Sequence, residues 1–341
     1  MTDSKPDAGR ARILGMMQGY RDTSLVRAGV ELGVFDGLAE AGLDPEVLAK
    51  RLDVDARGLT ILLNALVATG LMEHDSSEYR LSPAAARYLV SDRPGYVGHL
   101  TRILASDWEW DALKLLHEAV RHGGAVVDTH AETPNFRYWE DFAKHATLAT
   151  GPTAELVADR LAPWLSTRDS VDVLDVACGH GIYGFTLARR EPRARVHGLD
   201  WDNVVPIARR NAEEMGVGER VDFLIGDMFT TELGGPYDVA LITNVLHHFS
   251  QEDATTLLKR VGEATKPDGR VVVVGFTVGD QSPDRDPAPH LFSLLMLTWT
   301  RAGEVHSERV YREMFAQSGF TRPEIHTVPG TPMRVLIAER A

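Results

Sequence analysis

Three glycines, two adjacent histidines and a set of aspartates are the residues of this chain whose types and spacing can do chemistry. Gly179-His-Gly181-Ile-Tyr-Gly184 follows the apolar stretch VDVLDV without a break. Glycines at these intervals let a backbone turn sharply and approach a nucleotide cofactor closely where a helix begins. Asp175 precedes the loop, Asp200 closes VHGLD, and Asp227 lies in LIGDMF. Further on, NVLHHFSQED carries His247 and His248. An imidazole titrates near neutral pH and can take a proton from a hydroxyl.

The elements that must position these residues alternate from Ser170 onward. Strands are predicted at 171–177, 194–199, 221–225, 237–243 and 270–276, helices at about 183–190, 204–215 and 251–265, and a closing pair of strands near 324–327 and 334–338. This is the pattern of an α/β doubly wound sheet, whose ligand lies beyond the carboxyl ends of the strands. The cofactor can then be argued from those ends. A dinucleotide and S-adenosylmethionine (SAM) both suit the glycines, and an NAD-dependent oxidoreductase remains an alternative. Asp175 would repel a pyrophosphate but attracts the ammonium of SAM's methionine part, directly or through water. Asp200, with Trp201 beside it, is placed for the ribose hydroxyls. Asp227 is placed for the adenine amino group, with Met228 or Phe229 against the ring. Gly179, Gly181 and Asn244 complete the expected cofactor site.

Upstream, Asp44-Pro45 starts one helix, and Leu59, Leu62, Leu63, Leu66 and Val67 recur at helical spacing in a second that ends at Gly70. LMEHDSSEYRLS reads as a hairpin, so the segment resembles a winged helix. DNA binding fails on charge: between Glu31 and Leu89 acidic residues outnumber Lys and Arg about two to one, and specific binding needs phosphate anchors. A winged-helix regulator is therefore the remote alternative and an interaction module the better reading. The first dozen residues lack an apolar period and are expected to be disordered. Residues 100 to 165 are rich in aromatics. LFSLLML, at 291–297, reads as a buried helix.

A formal net charge of −13 argues against polyanionic partners. The single cysteine, Cys178, points to a reducing, cytoplasmic setting and reads as a loop-packing residue. No signal peptide is visible and no apolar run can span a bilayer, so no membrane partner is expected.

Together VLDVACGHG, GLD, GDMF and NVLHHFSQED resemble the motifs of class I SAM-dependent methyltransferases, and more narrowly the caffeate and acetylserotonin O-methyltransferase family. The resemblance covers nearly the whole chain. It implies a Rossmann-like catalytic sheet behind an N-terminal, mostly helical winged-helix dimerisation domain, organised as 1–100 (dimerisation), 101–165 (connecting helices lining the substrate pocket) and 166–341 (SAM-binding). It implies a homodimer acting on a small, aromatic acceptor, with Tyr20 of a partner copy helping to close the pocket. It maps the general base to His247. His248 is read beside it on the acceptor side, with a solvent-facing helix start as the plain alternative. Trp108, Asn135, Phe136, Trp139, Phe292, Met296 and Trp299 are the candidate acceptor residues, although aromatics at helical spacing also make ordinary core.

The chain departs from that family at three places. Ala177 replaces a common glycine, which the backbone tolerates if φ is negative there. The acidic residues that flank the base histidine fall on Gly275 and Val305, neither of which can orient an imidazole; Glu304 or His306 is the available substitute. O-methylation leads, with C- or N-methylation of an electron-rich ring such as an indole, or of a keto acid, as the alternative needing little base. A metal at the histidines lacks any regular ligand spacing, so none is expected.

Overall fold

The computed structural model describes residues 7–134 and 136–341. They form two compact units, one ending at Asp107 and one running from Trp108 to Ala341. The first unit opens with α1 (Ala8–Glu31). Residues 8–12, expected to be disordered, are its first turns: Asp7 caps the helix by accepting the Gly9 N–H at 2.9 Å, and Ala8, Arg10, Ala11 and Arg12 are strong helix formers. Residues 1–6 of that stretch lie outside the described residues. Then come α2 (Val34–Gly37), α3 (Pro45–Leu52), α4 (Ala56–Ala68), β1 (Met72–Asp75), β2 (Glu78–Leu81), α5 (Pro83–Tyr88) and α6 (Thr101–Leu104).

The winged-helix pattern is present. Asp44 caps α3 by accepting from Glu46 N–H, and Gly70, at φ 75°, follows the end of α4. Leu59, Leu63 and Leu66 of α4 are buried with Leu48, Met72 and Tyr79 in the core of the unit. β1 and β2 pair antiparallel from Met72 opposite Leu81 to Asp75 opposite Glu78. Two polar side chains of α4 are used internally: Asn64 accepts from the Tyr79 hydroxyl at 2.8 Å, and the Thr60 hydroxyl donates back to the Ala56 carbonyl at 2.7 Å. Outward on α1, Ile13, Met16, Met17 and Tyr20 are all more than half exposed.

From the boundary residue Asp107 onward come α7 (Asp107–Lys114), α8 (Leu116–His122), α9 (Tyr138–His145), α10 (Thr147–Leu165), β3 (Val171–Val176), α11 (Ile182–Arg190), β4 (Ala194–Asp200), α12 (Val205–Glu214), β5 (Val221–Ile225), β6 (Tyr237–Thr243), α13 (Gln251–Glu263), β7 (Thr265–Phe276), α14 (Pro287–Trp299), α15 (Glu308–Gln317), β8 (Glu324–Thr327) and β9 (Met333–Glu339). The sheet order is β5-β4-β3-β6-β7-β9-β8. The first five strands in this order run parallel, and β9 pairs antiparallel with both β7 and β8.

Helices cover both faces of the sheet, so every residue of the central strand β6 is buried. On one face Val173, Val196, Val239 and Val272 pack against α10 and α11 through Leu161 and Phe185. On the other, Leu174, Ile242 and Val273 pack against α13 and α15 through Leu257 and Phe315. α14 departs from the expected buried helix. Met296 is enclosed, but Leu291 is 64% exposed, because only one stripe of this apolar run meets the core. Among the described residues no helix is long and apolar enough to cross a membrane.

β3 has β4 on one side and β6 on the other. Chain order reverses between β3 and β6, so the switch point that receives a ligand lies at their carboxyl ends. Asp175, Asp200, Asp227 and Asn244 converge on that edge of the sheet.

Candidate active site

The glycine loop is held by its own hydrogen bonds. Gly179 N–H donates to Asp200 Oδ2 at 2.7 Å, Ile182 N–H to His180 Nδ1 at 3.2 Å, and Gly184 N–H to Asp175 Oδ2 at 3.2 Å. Gly181 N–H goes to the Cys178 carbonyl. These donors at the start of α11 would otherwise receive a pyrophosphate; here side chains and loop carbonyls already occupy them.

The glycines divide the labour. Gly179, at φ 56°, has open space where a Cβ would sit and lines the cavity. Gly181, at φ 74°, has the Phe185 ring 2.1 Å from that position, and Gly184 has Asp175 Oδ2 at 2.8 Å and Val196 at 2.9 Å. They are demanded by helix packing, and Gly181 is not among the residues of the cavity wall. Ala177 corrects another expectation: its φ is +52°, so a non-glycine residue is held in the left-handed region beside the site, as is Asn244 at +56°.

A cavity of about 300 Å³ opens over these strand ends. One part of its wall is Asp227, Met228, Phe229, Phe249 and Asp253; Asp200, Trp201 and Val204 form another, and Ala177, Gly179, His180, Thr243 and Asn244 a third. Trp139, Phe142, His248, Glu132 and Arg301 also line it. Asp200 accepts from Gly179 and Trp201 N–H groups with one oxygen each, which leaves lone pairs for hydroxyls. Burial pushes its carboxyl up to about 6 against the pull of those bonds. Asp227 accepts from Phe229 N–H at 2.8 Å, turning the strand end so that Met228 and Phe229 face the cavity.

Asp175 is one layer back. It is buried, does not line the cavity, and its Oδ1 has no partner. Burial pushes its carboxyl up to about 8. Asp175 supports the loop through Gly184 N–H. The wall suits SAM: carboxylates face a sulfonium-bearing nucleoside, Arg301 is the one lysine or arginine among the described lining residues, and the loop amides offer little to a pyrophosphate.

His247 and His248 lie on a short 3-10 turn, Leu246–His248, after β6. Both are buried, so a solvent-facing His248 is excluded. His248 stands in the cavity wall, edge-on to Trp139 at 5.2 Å between centroids, and burial pushes its pKa down to about 4. His247 lies behind it, edge-on to Phe292 at 5.0 Å, with Phe292 stacked on Phe276 at 4.0 Å. Burial, then the neighbouring His248 and His306, hold His247 well below the usual histidine value, so its ring is neutral. A Cβ on Gly275 would lie 3.4 Å from His247 Nδ1, which places the missing acid position against the imidazole. Val305 is buried, and Glu304 is exposed. His306 is buried with Nε2 3.3 Å from the Leu246 carbonyl oxygen. Among the described residues no three metal-type side chains converge.

The other expected acceptor residues divide. Phe136, Met296 and Trp299 are enclosed in core, with Trp108 and Phe136 in edge contact at 4.8 Å and Phe136 and Trp299 at 5.3 Å. They brace the wall from behind. Trp139 lines the cavity, its indole N–H donating to the Ala131 carbonyl at 2.9 Å. Asn135 lies outside the described residues. Residues passed over in the sequence include Phe142, stacked on His180 at 5.6 Å, and the pair Glu132 and Arg301. His180 occupies a variable position inside the glycine pattern, and Arg301 is brought to Glu132 only by tertiary folding, its N–H donating to Glu132 Oε1 at 2.7 Å.

A switch-point cavity walled by strand-end carboxylates, over a loop whose amides are internally satisfied, defines a class I SAM-dependent methyltransferase. Comparison with known proteins narrows this. Residues 149–321 match the O-methyltransferase domain and residues 14–91 the O-methyltransferase dimerisation domain. The chain belongs to the O-methyltransferase family. It is 28% identical to acetylserotonin O-methyltransferase of Mus musculus, over 96% of this chain and 88% of that one. It is also 28% identical to the tetracenomycin polyketide synthesis 8-O-methyl transferase TcmO of Streptomyces glaucescens, over 97% of each. A Nostoc punctiforme crystal structure, provisionally designated an O-methyltransferase, superposes with a TM-score of 0.89 at 29% identity, covering 98% of this chain and 100% of that one.

Proposed function

We propose that this enzyme transfers the SAM methyl group to a hydroxyl of a small aromatic secondary metabolite, with His247 as general base. The observation that carries the proposal is a neutral, buried imidazole at the end of β6, one residue from the cavity wall and flanked by the flat Phe276–Phe292 pair. Relatives support the acceptor class: TcmO acts in tetracenomycin polyketide synthesis, and a Streptomyces cremeus relative, 26% identical, is a 3-amino-4-hydroxybenzoate 4-O-methyltransferase.

When bound, SAM supplies a methyl group on a positively charged sulfur. Asp200 and Trp201 would hold its ribose, Asp227, Met228 and Phe229 its adenine, and Gly179 and Asn244 its amino-acid part, with Asp175 and Gly181 supporting the loop from behind. Trp139 and His248 hold the acceptor side of the wall, and much of the rate comes from the alignment they impose. His247 receives the hydroxyl proton. The exposed apolar face of α1, with Tyr20, pairs two copies through the dimerisation domain.

The test is incubation with labelled SAM and a panel of phenols, indoles and keto acids, with the new methyl located by NMR. His247→Ala should lower turnover by about two orders of magnitude or more below the acceptor pKa and converge with wild type above it, leaving SAM affinity intact. Equal rates at low pH would remove the base role. A second reading, transfer to nitrogen or carbon, is favoured by the absence of a carboxylate at His247 Nδ1; a Streptomyces rimosus relative, 27% identical, is an N,N-dimethyltransferase. The methyl's location separates the two.

A further inference from the structure

Resting on the reading that this site methylates a hydroxyl, we infer from the juxtaposition of Gly275 with His247 Nδ1 that the acceptor is an intrinsically acidic hydroxyl, such as a hydroxyquinone or the enol of a 1,3-dicarbonyl, rather than an ordinary phenol.

A base histidine gains strength from a group that stabilises its imidazolium, and a carboxylate at the second ring nitrogen is the usual means. Each element packed around His247 withholds one. β7 offers Gly275, whose Cβ position would be 3.4 Å from Nδ1 but which has no side chain to place there. α14 offers the Phe292 ring in edge contact. The 3-10 turn offers His248, at 4.6 Å between centroids. The segment before α15 offers His306, buried, with Val305, also buried, beside it. Glu304 is exposed and acts on His306, while the charged forms of His248 and His306 both oppose a charge on His247.

An ordinary phenol has a pKa of about 10 and an unperturbed histidine about 6.5, so full proton transfer between them is already unfavourable by about three thousand-fold. Burial and the two histidine neighbours enlarge that gap here. The mismatch disappears when the acceptor ionises by itself. The oxygen lone pair then forms the O–CH3 bond as the C–S bond breaks and its electron pair returns to sulfur; the anionic oxygen and the sulfonium both become neutral. The proton has gone to solvent or, for an acceptor still protonated, to His247. Arg301 is the single lysine or arginine of the described wall, and it is paired with Glu132 at 3.7 Å.

The experiment compares 2-hydroxy-1,4-naphthoquinone with 2-naphthol, bicyclic hydroxyls of similar size, using labelled SAM between pH 6 and 9. The wild-type enzyme should show kcat/KM at least about a thousand-fold higher for the hydroxyquinone at neutral pH, following the mismatch in acidity. Gly275→Glu should raise the naphthol value at least about ten-fold, and Gly275→Ala, which adds the Cβ without a charge, should not; Gly275→Asp serves if the longer side chain unfolds the strand. Comparable wild-type values for both acceptors overturn the inference and leave O-methylation standing. Transfer to carbon, or to neither compound while SAM binds, overturns the O-methylation reading and this inference with it.

Discussion

His180 Nε2 lies 3.0 Å from the Thr150 hydroxyl oxygen, joining the glycine loop to α10. The other ring nitrogen accepts from Ile182 N–H, and the Thr150 hydroxyl donates to the Ala146 carbonyl at 2.9 Å. Only one tautomer satisfies all three bonds: the proton sits on Nε2 and is donated to Thr150. Burial pushes the His180 pKa down to about 4, so the ring is neutral at working pH. Thr150→Val should cost about 1–3 kcal/mol, the penalty for stranding a buried donor, and should raise KM for SAM because His180 is in the wall. Unchanged stability in denaturant titration would remove this link.

The glycines should separate stability from binding. Gly181→Ala meets the Phe185 ring and should cost several kcal/mol, with a large fall in Tm. Gly179→Ala has open space and pays only the left-handed backbone term of about 1–2 kcal/mol, yet should weaken SAM binding because it faces the cavity. Ala177→Gly releases the same kind of strain at φ 52° and should stabilise by up to about 1 kcal/mol after the entropy cost of glycine. Calorimetry of the unliganded protein beside SAM titration distinguishes the three.

Asp175 predicts a pH dependence. Its carboxyl is raised from 3.8 to about 8, so between those values the folded protein holds a proton that the unfolded chain has released. The stability contributed by that proton is present at low pH and is lost as pH rises toward 8. Asp200, raised to about 6, acts in the same direction over a narrower range. Asp175→Asn keeps an acceptor for Gly184 N–H and removes the titration, so its stability relative to wild type should increase from pH 5 to pH 8. A constant difference across that range would show that the carboxyl does not titrate there.

Association through the N-terminal unit can be tested on α1. Met16→Glu with Tyr20→Glu places two charges on its exposed apolar face. Sedimentation should show a shift from dimer toward monomer, and the far-ultraviolet circular dichroism should stay unchanged, since neither side chain is packed in the core.

Much of this was legible in the chain because local patterning and tertiary structure agree. The five parallel strands lie where alternating apolar runs and strand-end aspartates place them, and Asp44 and Gly70 bound their helices as their chemistry requires. What escaped depended on depth. Asp175 and Asp200 look alike in sequence, yet one is sealed beneath α11 and the other faces the cavity. Phe136, Trp139 and Trp299 form one aromatic cluster, and only Trp139 lines the cavity. The positive φ of Ala177 could not be read from an alanine, and Arg301 meets Glu132 across 169 positions.

Gly275 has a wider consequence. Its backbone is outside the left-handed region and its Cβ direction is free to ordinary contact distance, so the strand does not require glycine there. Glycine and the two acidic amino acids are a single base change apart in the genetic code. The proton affinity of the neighbouring imidazole, and with it the range of acceptors that the enzyme can exploit, is therefore within reach of one mutation that leaves the cofactor machinery untouched. Lineages facing new metabolites could move in either direction along that step.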